Sequence, residues 1–493
     1  MGLLLGYDIG SSSIKASVVE VDSGKTLATA VSPAEEMEIN APQPGWAEQD
    51  PEEWWKQVKL ATAMLQSQGS IDLKEVRAIG ISYQMHGLVL VDRDQRLLRP
   101  SIIWCDSRAV EIGEEAFTSI GKEKCLHSLL NSPGNFTASK LKWVQENEPE
   151  VYSRIYKAML PGEYIAMRLT GEIKTTPSGL SEAILWDYHR QKPAEIVLDH
   201  YRISPELIPE VVPVFSIQGE LTSDAAAELG LDKGTLVSYR AGDQPNNALS
   251  LKVLEPGEIA ATAGTSGVVY GVSDQPNYDP KSRVNTFVHV NHTPTQPRYG
   301  TLLCINGTAI LYRWLKNMMA NFSYGQMDQI SARIPVGACG LSILPYGNGA
   351  ERTLENIKTG AVIHGLDFNV HSQPHLARAA QEGIVYSLNY GMEIMGRMGM
   401  NISSIKAGFA NMFLSPVFSE AFATISGAQV ELYNTDGSQG AARGAGIGAG
   451  IYRDYQQAFS GLDLVKTIDP NEALSEAYRE AYRQWRAILD KLK

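Results

Sequence analysis

The chain has 493 residues, of which 44% are hydrophobic and 20% charged, a balance typical of a globular protein with filled cores. A formal net charge of −12 argues against a duplex nucleic-acid partner, which needs a basic surface. The four cysteines have no metal-binding spacing, and the apolar runs are too short for a membrane span or a secretion signal. We therefore expect a soluble cytoplasmic protein with reduced thiols.

The first predicted elements are a strand, a turn of small residues and a second strand. Residues 3–8 are an apolar run, residues 10–13 read Gly-Ser-Ser-Ser, and apolar residues then alternate over 14–18. The pattern recurs in the middle of the chain, where residues 258–263 lead into Gly-Thr-Ser-Gly at 264–267. Two such hairpins predict a duplicated architecture with a nucleotide between two similar lobes, although small-residue hairpins are also common on their own.

Helices and further strands follow the first hairpin. Asp50 and Pro51 supply an N-cap and a first-turn proline for a helix with an apolar face. Residues 76–82 form another short apolar strand, and this alternation of strands and helices predicts the α/β class. We place a lobe boundary just before the segment that contains Asp243, which divides the chain into residues 1–239 and 240–493.

The first candidate for chemistry is the turn at Gly10, Ser11, Ser12 and Ser13. Backbone N–H groups and hydroxyls in such a turn can hold terminal phosphates. Asp8 precedes the turn and could hold a hydrated Mg²⁺, and Lys15 follows it. A plain hairpin with an exposed aspartate is an equally good interpretation. The chain contains no Gly-x-x-x-x-Gly-Lys-Ser/Thr motif, which excludes a P-loop ATPase.

The second candidate is Asp243, which follows a run of small and apolar residues and is therefore placed at the end of a strand. An ionised carboxylate there could take a proton from a hydroxyl group of a ligand. The alternative is that Asp243 caps the following helix, and the two roles are compatible.

The third candidate is the segment of residues 84–87, Gln-Met-His-Gly, directly after a predicted strand. Its amide, imidazole and backbone groups suit a ligand with many hydroxyls, although a single histidine after a strand is more often structural. A glycine-rich run at 440–450 lacks the dinucleotide-binding spacing, and we interpret it as a helix with a small-residue face.

Together these segments resemble the FGGY carbohydrate kinase family, most closely its xylulokinases, nearly from end to end. The matching segments are 8–15 (first phosphate motif), 44–55, 84–87 (sugar-binding segment), 103–108, 136–143 (N-terminal signature), 160–164, 169–172, 242–244 (catalytic-aspartate motif) and 264–267 (second phosphate motif).

The sequence departs from the family pattern at three places. Phe409 stands in the adenosine segment where glycine is common, Thr353 stands where proline is frequent, and residues 177–181 lack an aspartate found in many relatives.

The resemblance implies the actin/hexokinase-like fold, with two ribonuclease-H-like lobes around a central cleft that holds ATP and closes on the sugar. It also implies that Asp243 is the catalytic base and that Asp8, the other catalytic residue, positions Mg²⁺. The implied sugar-binding residues are Gln84, Met85, His86, Gly87, Trp104 and Asp106. The implied ATP-binding residues are Gly10, Ser11, Ser12, Ser13, Lys15, Gly264, Thr265, Ser266, Gly408, Phe409 and Asn411.

The expected function is an ATP-dependent, Mg²⁺-requiring carbohydrate kinase that converts D-xylulose to D-xylulose 5-phosphate. L-Ribulose, L-fuculose and gluconate are the alternative acceptors within the family. A sugar sensor that binds ATP without phosphoryl transfer is a different class, but it would have no need of Asp243 as a base. A repressor built on related lobes would carry a DNA-binding module ahead of Asp8. The residues before Asp8 leave no room for one, so we do not expect a repressor. The resemblance also implies a homodimer, whereas the acidic charge and the short apolar runs predict no nucleic-acid or membrane partner.

Overall fold

The computed structural model describes residues 2–69, 71–319 and 322–493. Two compact units divide the chain. The first comprises Met1–Lys252, Phe287–Tyr299 and Thr435–Leu462, and the second comprises Val253–Thr286, Gly300–Asn434 and Asp463–Lys493. None of the described helices combines the length and apolar character needed to cross a membrane.

The strands, in chain order, are β1 (Leu3–Ile9), β2 (Ile14–Glu20), β3 (Thr26–Ser32), β4 (Glu48–Gln49), β5 (Val76–Tyr83), β6 (Val89–Val91), β7 (Ser101–Ile102), β8 (Lys157–Met159), β9 (Lys174–Thr175), β10 (Trp186–Asp187), β11 (Lys192–Pro193), β12 (Glu210–Val211), β13 (Phe215–Glu220), β14 (Leu236–Gly242), β15 (Glu258–Ala263), β16 (Gly267–Ser273), β17 (Asn285–Val288), β18 (Tyr299–Ile305), β19 (Ser342–Leu344), β20 (Val362–His364), β21 (Ser404–Gly408), β22 (Val430–Tyr433) and β23 (Leu464–Ile468).

The helices are α1 (Pro51–Ser67), α2 (Val110–Ile120), α3 (Lys122–Leu129), α4 (Thr137–Asn147), α5 (Pro149–Tyr152), α6 (Pro161–Thr170), α7 (Pro177–Glu182), α8 (Glu195–Tyr201), α9 (Ser223–Leu229), α10 (Asp243–Ser250), α11 (Ala309–Met318), α12 (Tyr324–Ser331), α13 (Gln373–Arg397), α14 (Pro416–Ser426), α15 (Gly437–Gly448), α16 (Tyr455–Ala458) and α17 (Ser475–Leu492).

The main sheet of the first unit has the order β13-β14-β5-β1-β2-β3. Strand β1 forms an antiparallel hairpin with β2, and it runs parallel to β5, which in turn runs parallel to β14. Because the carboxyl ends of parallel strands meet at one edge of a sheet, the chain leaves β1, β5 and β14 on the same side. The residues that follow these three strands therefore come together, and they include the three predicted functional segments of the first unit.

Local sequence signals account for the helix that covers one face of β2 and β3. The Asp50 side chain accepts a hydrogen bond from Glu52 N at 3.0 Å, and Pro51 occupies the first turn of α1. Trp54 and Trp55 are buried on the inner face of this helix. The predicted helix start is thus confirmed.

The glycine-rich run forms α15, which packs against the sheet of the first unit. Its side chains are small enough for the helix to lie close to the strands. Ser438 Oγ lies 2.7 Å from Ser17 Oγ of β2, and Ser238 Oγ of β14 donates to Ala445 O at 2.8 Å. The interpretation as a helix with a small-residue face is confirmed.

A second sheet has the order β17-β18-β16-β15-β21-β22-β23. It belongs to the second unit except for the last two residues of β17 and the first residue of β18. Its β15–β16 hairpin stands beside the parallel strand β21, just as the β1–β2 hairpin stands beside β5. The predicted duplicated α/β architecture is confirmed. The core of this unit lies between the sheet and α13, α14 and α17, and its large buried residues include Phe418, Phe422 and Trp485.

The boundary predicted between residues 239 and 240 falls inside β14. This strand is hydrogen-bonded between β13 and β5 in the sheet of the first unit, so the chain stays in that unit through Lys252. Asp243, at the start of α10, consequently belongs to the first unit, as does α15.

Candidate active site

The turn after β1 brings Asp8 next to a set of hydroxyl and amide groups. Gly10 N donates to Ser13 O at 3.1 Å, which closes the turn, and Lys15 stands opposite Asp8 in the β1–β2 ladder. Ser82 Oγ, from the end of β5, donates to Asp8 Oδ1 at 2.8 Å. The turn hydroxyls are partly or fully exposed, so a ligand can reach them.

The electrostatic environment of Asp8 disfavours an isolated negative charge. Burial raises the pKa of Asp8, the Ser82 hydrogen bond and Lys15 lower it, and the carboxylate of Asp436 raises it. A methyl group added at Gly437 would lie 2.6 Å from Asp8 Oδ2, so the start of α15 approaches the carboxylate as closely as glycine allows. A cation beside Asp8 would stabilise the ionised carboxylate and lower its pKa.

Asp243 is the first residue of α10 and remains partly accessible. Gly242 occupies the N-cap position, one residue before Asp243. The Asp243 carboxylate nevertheless accepts a backbone hydrogen bond from Gln244 at the start of the helix. Burial and the neighbouring Asp8 carboxylate raise the pKa of Asp243 to about 7. A carboxylate with such a pKa can accept a proton near neutral pH and later release it.

The segment of residues 84–87 follows β5 and crosses the end of β1. Gln84 N donates to Ile9 O at 2.8 Å, and the Gln84 side chain donates to Gln49 Oε1 at 3.3 Å. Gln84 Oε1 is buried and finds no hydrogen-bond partner among the residues that the structure describes. Met85 is buried, and Gly87 lies beside Pro161.

The His86 side chain is held in one orientation by its neighbours. Its Nδ1 lies 3.0 Å from the backbone O of Glu182, so this nitrogen donates the hydrogen bond. The ring centre lies 4.7 Å from that of Phe136 in an edge-to-face arrangement and 5.6 Å from that of Phe287. Lys140 Nζ donates to His86 O at 2.8 Å and to Ile103 O at 2.9 Å, which joins this segment to the one that carries Trp104.

Trp104 and Asp106 are placed in different environments. Trp104 is 53% exposed, and its indole Nε1 donates to Ser11 Oγ at 3.3 Å, so this ring lies at the edge of the 10–13 turn. Asp106 is fully buried, and its carboxylate accepts hydrogen bonds from Ala47 N and from the guanidinium of Arg108. Of the two side chains, only that of Trp104 is exposed to a ligand.

The predicted nucleotide-binding residues of the second unit lie at the ends of β15 and β21. A methyl group added at Gly264 would lie 3.6 Å from the Asn411 amide nitrogen, so the second phosphate motif and the adenosine segment meet. Gly264 O accepts from Thr308 Oγ at 2.9 Å, and Thr265 lies exposed in the turn together with the half-buried Ser266. Gly408 ends β21, and Phe409 after it is 45% exposed.

Comparison with known proteins identifies the chain. The N-terminal domain of the FGGY family of carbohydrate kinases matches residues 3–250, and the C-terminal domain of the same family matches residues 259–451. The chain belongs to the FGGY family of carbohydrate kinases. It is an enzyme that transfers a phosphoryl group to a sugar or a related alcohol.

Individual relatives of this FGGY kinase cover its full length. The xylulose kinase of Escherichia coli is 30% identical, with 99% of each chain aligned. A structure described as a xyloylose kinase from Brucella ovis has a TM-score of 0.90, 27% identity and 99% coverage of both chains. A gluconate kinase from Lactobacillus acidophilus shares the fold, with a TM-score of 0.89 at 22% identity and coverage of 100% of this chain and 98% of its own.

The arrangement in this FGGY kinase fits a Mg²⁺ ion that is held mainly by water and phosphate. Within the described ranges there is no group of three or more His, Cys, Asp and Glu side chains that could hold a metal ion alone. Asp8 instead offers one carboxylate beside the 10–13 turn, close enough to Asp243 to raise the pKa of that residue. Mg²⁺ typically uses one or two carboxylates, several waters and substrate phosphates, so this sparse set of ligands suits it.

Three residues at the site were missed by the sequence analysis: Glu182, Lys140 and Asp436. Each lies far along the chain from the segment that it contacts, and only the fold brings them together. The one available signal was Asp436 three residues before Gln439, a helix N-cap spacing, and the structure confirms that Asp436 caps α15. Lys140 lies in the family's N-terminal signature, but this position does not predict its hydrogen bonds to His86 O and Ile103 O.

Proposed function

We propose that this kinase transfers the γ-phosphoryl group of Mg·ATP to D-xylulose, with Asp243 as the general base. The observation that carries the proposal is the meeting of Asp8, the 84–87 segment and Asp243 at one edge of the sheet in the first unit. The full-length similarity to proteins named xylulose kinases favours D-xylulose over other acceptors. Gluconate and L-ribulose remain the acceptors to compare with it.

In the proposed reaction, Asp243 takes the proton from the attacking sugar hydroxyl, with O5 of the ketopentose as the proposed nucleophile. A bond forms between that oxygen and the γ-phosphorus while the bond from this phosphorus to the β–γ bridging oxygen breaks. The electron pair of the broken bond leaves on ADP, and the proton remains on Asp243. A pKa of about 7 keeps the carboxylate able to accept this proton at neutral pH.

Asp8 and the 10–13 turn serve the phosphate end of the nucleotide in this proposal. Mg²⁺, when bound, neutralises charge that develops on the phosphate oxygens. Asp8 would hold the water ligands of the ion. The turn N–H groups, the hydroxyls and Lys15 would orient the terminal phosphate, because phosphoryl transfer depends mainly on position and electrostatics.

The second unit would bind the remainder of ATP. Gly264, Thr265 and Ser266 present a second turn of backbone N–H groups and hydroxyls for phosphate oxygens. Gly408 leaves room for a nucleoside, the exposed ring of Phe409 can stack on adenine, and Asn411 can hydrogen-bond to it.

The sugar contacts are proposed for Gln84, Met85, His86, Gly87 and Trp104, with Asp106 in a supporting role. Gln84 Oε1 supports the proposal, since it is a buried acceptor that a sugar hydroxyl could satisfy. Asp106 is given a supporting role because its carboxylate is already used in hydrogen bonds from Ala47 N and Arg108.

The test is a coupled ADP-release assay with Mg·ATP and a panel of ketopentoses, aldoses, polyols and sugar acids. We expect the highest kcat/KM with D-xylulose. Selective turnover of another sugar would overturn the acceptor and keep the assignment of Asp243. If the folded protein binds ATP and releases no ADP with any member, the result favours a sugar sensor that binds ATP without phosphoryl transfer.

We further propose that the enzyme acts in the cytoplasm as a homodimer, on the basis of the family resemblance. Light scattering of the purified protein measures its mass and so tests the homodimer. A mass of one chain, 53.9 kDa, would contradict it.

A further inference from the structure

Glu182, the last residue of α7, lies between the sugar-binding segment and the end of β14. The residue is 1% exposed, and its Oε2 accepts a hydrogen bond from His86 N at 3.0 Å. A methyl group added at Gly242 would lie 3.0 Å from Glu182 Oε1 and 2.5 Å from Met85 Cγ. One carboxyl group therefore lies against both the 84–87 segment and the residue that precedes Asp243.

The backbone of His86 needs such support. Its φ of 63° lies in the left-handed region, which a residue with a bulky side chain adopts reluctantly. The Glu182 side chain accepts from the His86 N–H while the Glu182 backbone O accepts from the imidazole Nδ1. These two hydrogen bonds fix the backbone and the ring of the same residue, so the position of His86 depends on Glu182.

The pKa of Glu182 is compatible with its position near Asp243, the proposed base. The groups that act on its pKa include Tyr83, His86, Glu163 and Asp243, and the buried Arg240 guanidinium acts in turn on Tyr83 and Glu163. Burial raises the pKa of Glu182 well above its usual value, and the carboxylates of Asp243 and Glu163 add to the rise, whereas hydrogen bonds from Tyr83 and His86 N oppose it. The raised pKa favours the neutral form of Glu182, which can still accept the His86 hydrogen bond through a carboxyl oxygen.

We propose that Glu182 is a positioning residue for sugar phosphorylation, which holds Met85 and His86 against the strand end that carries Asp243. The proposal rests on the proposed function, because it assigns the sugar contact to this segment. Glu182 transfers no proton in the reaction. Its role is to accept a hydrogen bond, and a neutral side chain of the same shape with an acceptor oxygen can replace it.

Glu182→Gln and Glu182→Leu form a matched pair for the test, since both are neutral and close in size to glutamate. Only the glutamine offers an oxygen to His86 N. We expect the glutamine variant to keep the sugar KM within about threefold, and the leucine variant to raise it about tenfold or more because a buried N–H loses its acceptor. The KM for ATP should stay within about twofold in both variants, since the groups that bind adenosine are untouched.

The measurement is steady-state kinetics with the sugar that the wild-type enzyme uses best, together with Tm values of all variants. Equal sugar KM values for the two variants, or a parallel rise of the sugar and ATP KM values, would overturn the proposal. If Glu182→Leu does not fold, Glu182→Asp replaces it, because the shorter side chain withdraws the acceptor from His86 N. A wild-type sugar KM in the aspartate variant would then overturn the proposal. A wild-type enzyme that prefers a sugar other than D-xylulose refutes only the proposed acceptor, and the Glu182 comparison is made with that sugar.

Discussion

At the residue scale, the replacement of Asp243 by asparagine tests the base directly. The amide keeps the shape of the side chain and cannot take a proton, so kcat should fall by about 10²–10⁴-fold. Binding of ATP and sugar, measured by calorimetry, should change little. Asp490→Asn removes the same charge from an exposed position of α17 and serves as the control. A wild-type kcat for Asp243→Asn would show that this residue is not the base.

The pH dependence follows from the environment of the same carboxylate. Burial and Asp8 raise the pKa of Asp243 to about 7, and only the ionised form can act as a base. Activity is therefore present above this pKa and is lost as the pH falls through it. We expect kcat/KM for the sugar to decrease about tenfold for each pH unit below the pKa. A flat profile down to about pH 5 would place the base in a less buried environment.

Asp8 should affect the metal requirement more than the sugar. Asp8→Asn removes a charge that would hold the water ligands of Mg²⁺, so the Mg²⁺ concentration for half-maximal activity should rise about tenfold or more. The KM for the sugar at saturating Mg²⁺ should stay near the wild-type value. The measurement is a titration of activity with Mg²⁺ at fixed ATP, and an unchanged half-maximal concentration would remove Asp8 from the metal site.

At the scale of elements, the C-terminal helix α17 supplies a central part of the second unit's core. Trp485 is fully buried, donates from Nε1 to Ile343 O at 2.9 Å and stacks on Tyr482. Trp485→Ala should lower the free energy of unfolding by about 3–5 kcal/mol, because it leaves a cavity and an unsatisfied carbonyl. Trp314→Ala, at a position that is 51% exposed, is the control and should have a much smaller effect in denaturant unfolding.

Elements with local signals could be predicted from the sequence, and contacts between distant segments could not. The start of α1 was predictable because Asp50 and Pro51 lie there, and β1 was predictable because it opens on three consecutive leucines. By contrast, the pairing of His86 with Glu182 joins positions 96 residues apart. No periodicity or capping pattern encodes such a contact. For the same reason the return of α15 to the first unit was not predicted, although its small-residue face was.

At the scale of the whole molecule, the groups proposed for the sugar and those proposed for adenosine fall in different units. Gln84, His86 and Asp243 belong to the first, and Phe409 and Asn411 belong to the second. The groups proposed for the phosphates occur in both units, so only substitutions in the sugar and adenosine sets should change the KM of one substrate more than that of the other. This separation distinguishes specific binding groups from residues whose loss disturbs the protein generally.

Phe409 and His86 provide the sharpest pair for that comparison. Phe409→Ala removes an exposed aromatic ring, so the KM for ATP should rise about tenfold, as expected for the loss of a base–aromatic stack, while the sugar KM stays constant. His86→Ala should raise the sugar KM and leave that for ATP unchanged. Because Phe409 is 45% exposed, its removal should not lower the Tm. If Phe409→Ala leaves the ATP KM unchanged, adenine does not stack on this ring, and the departure from the family's glycine at this position has no role in nucleotide binding.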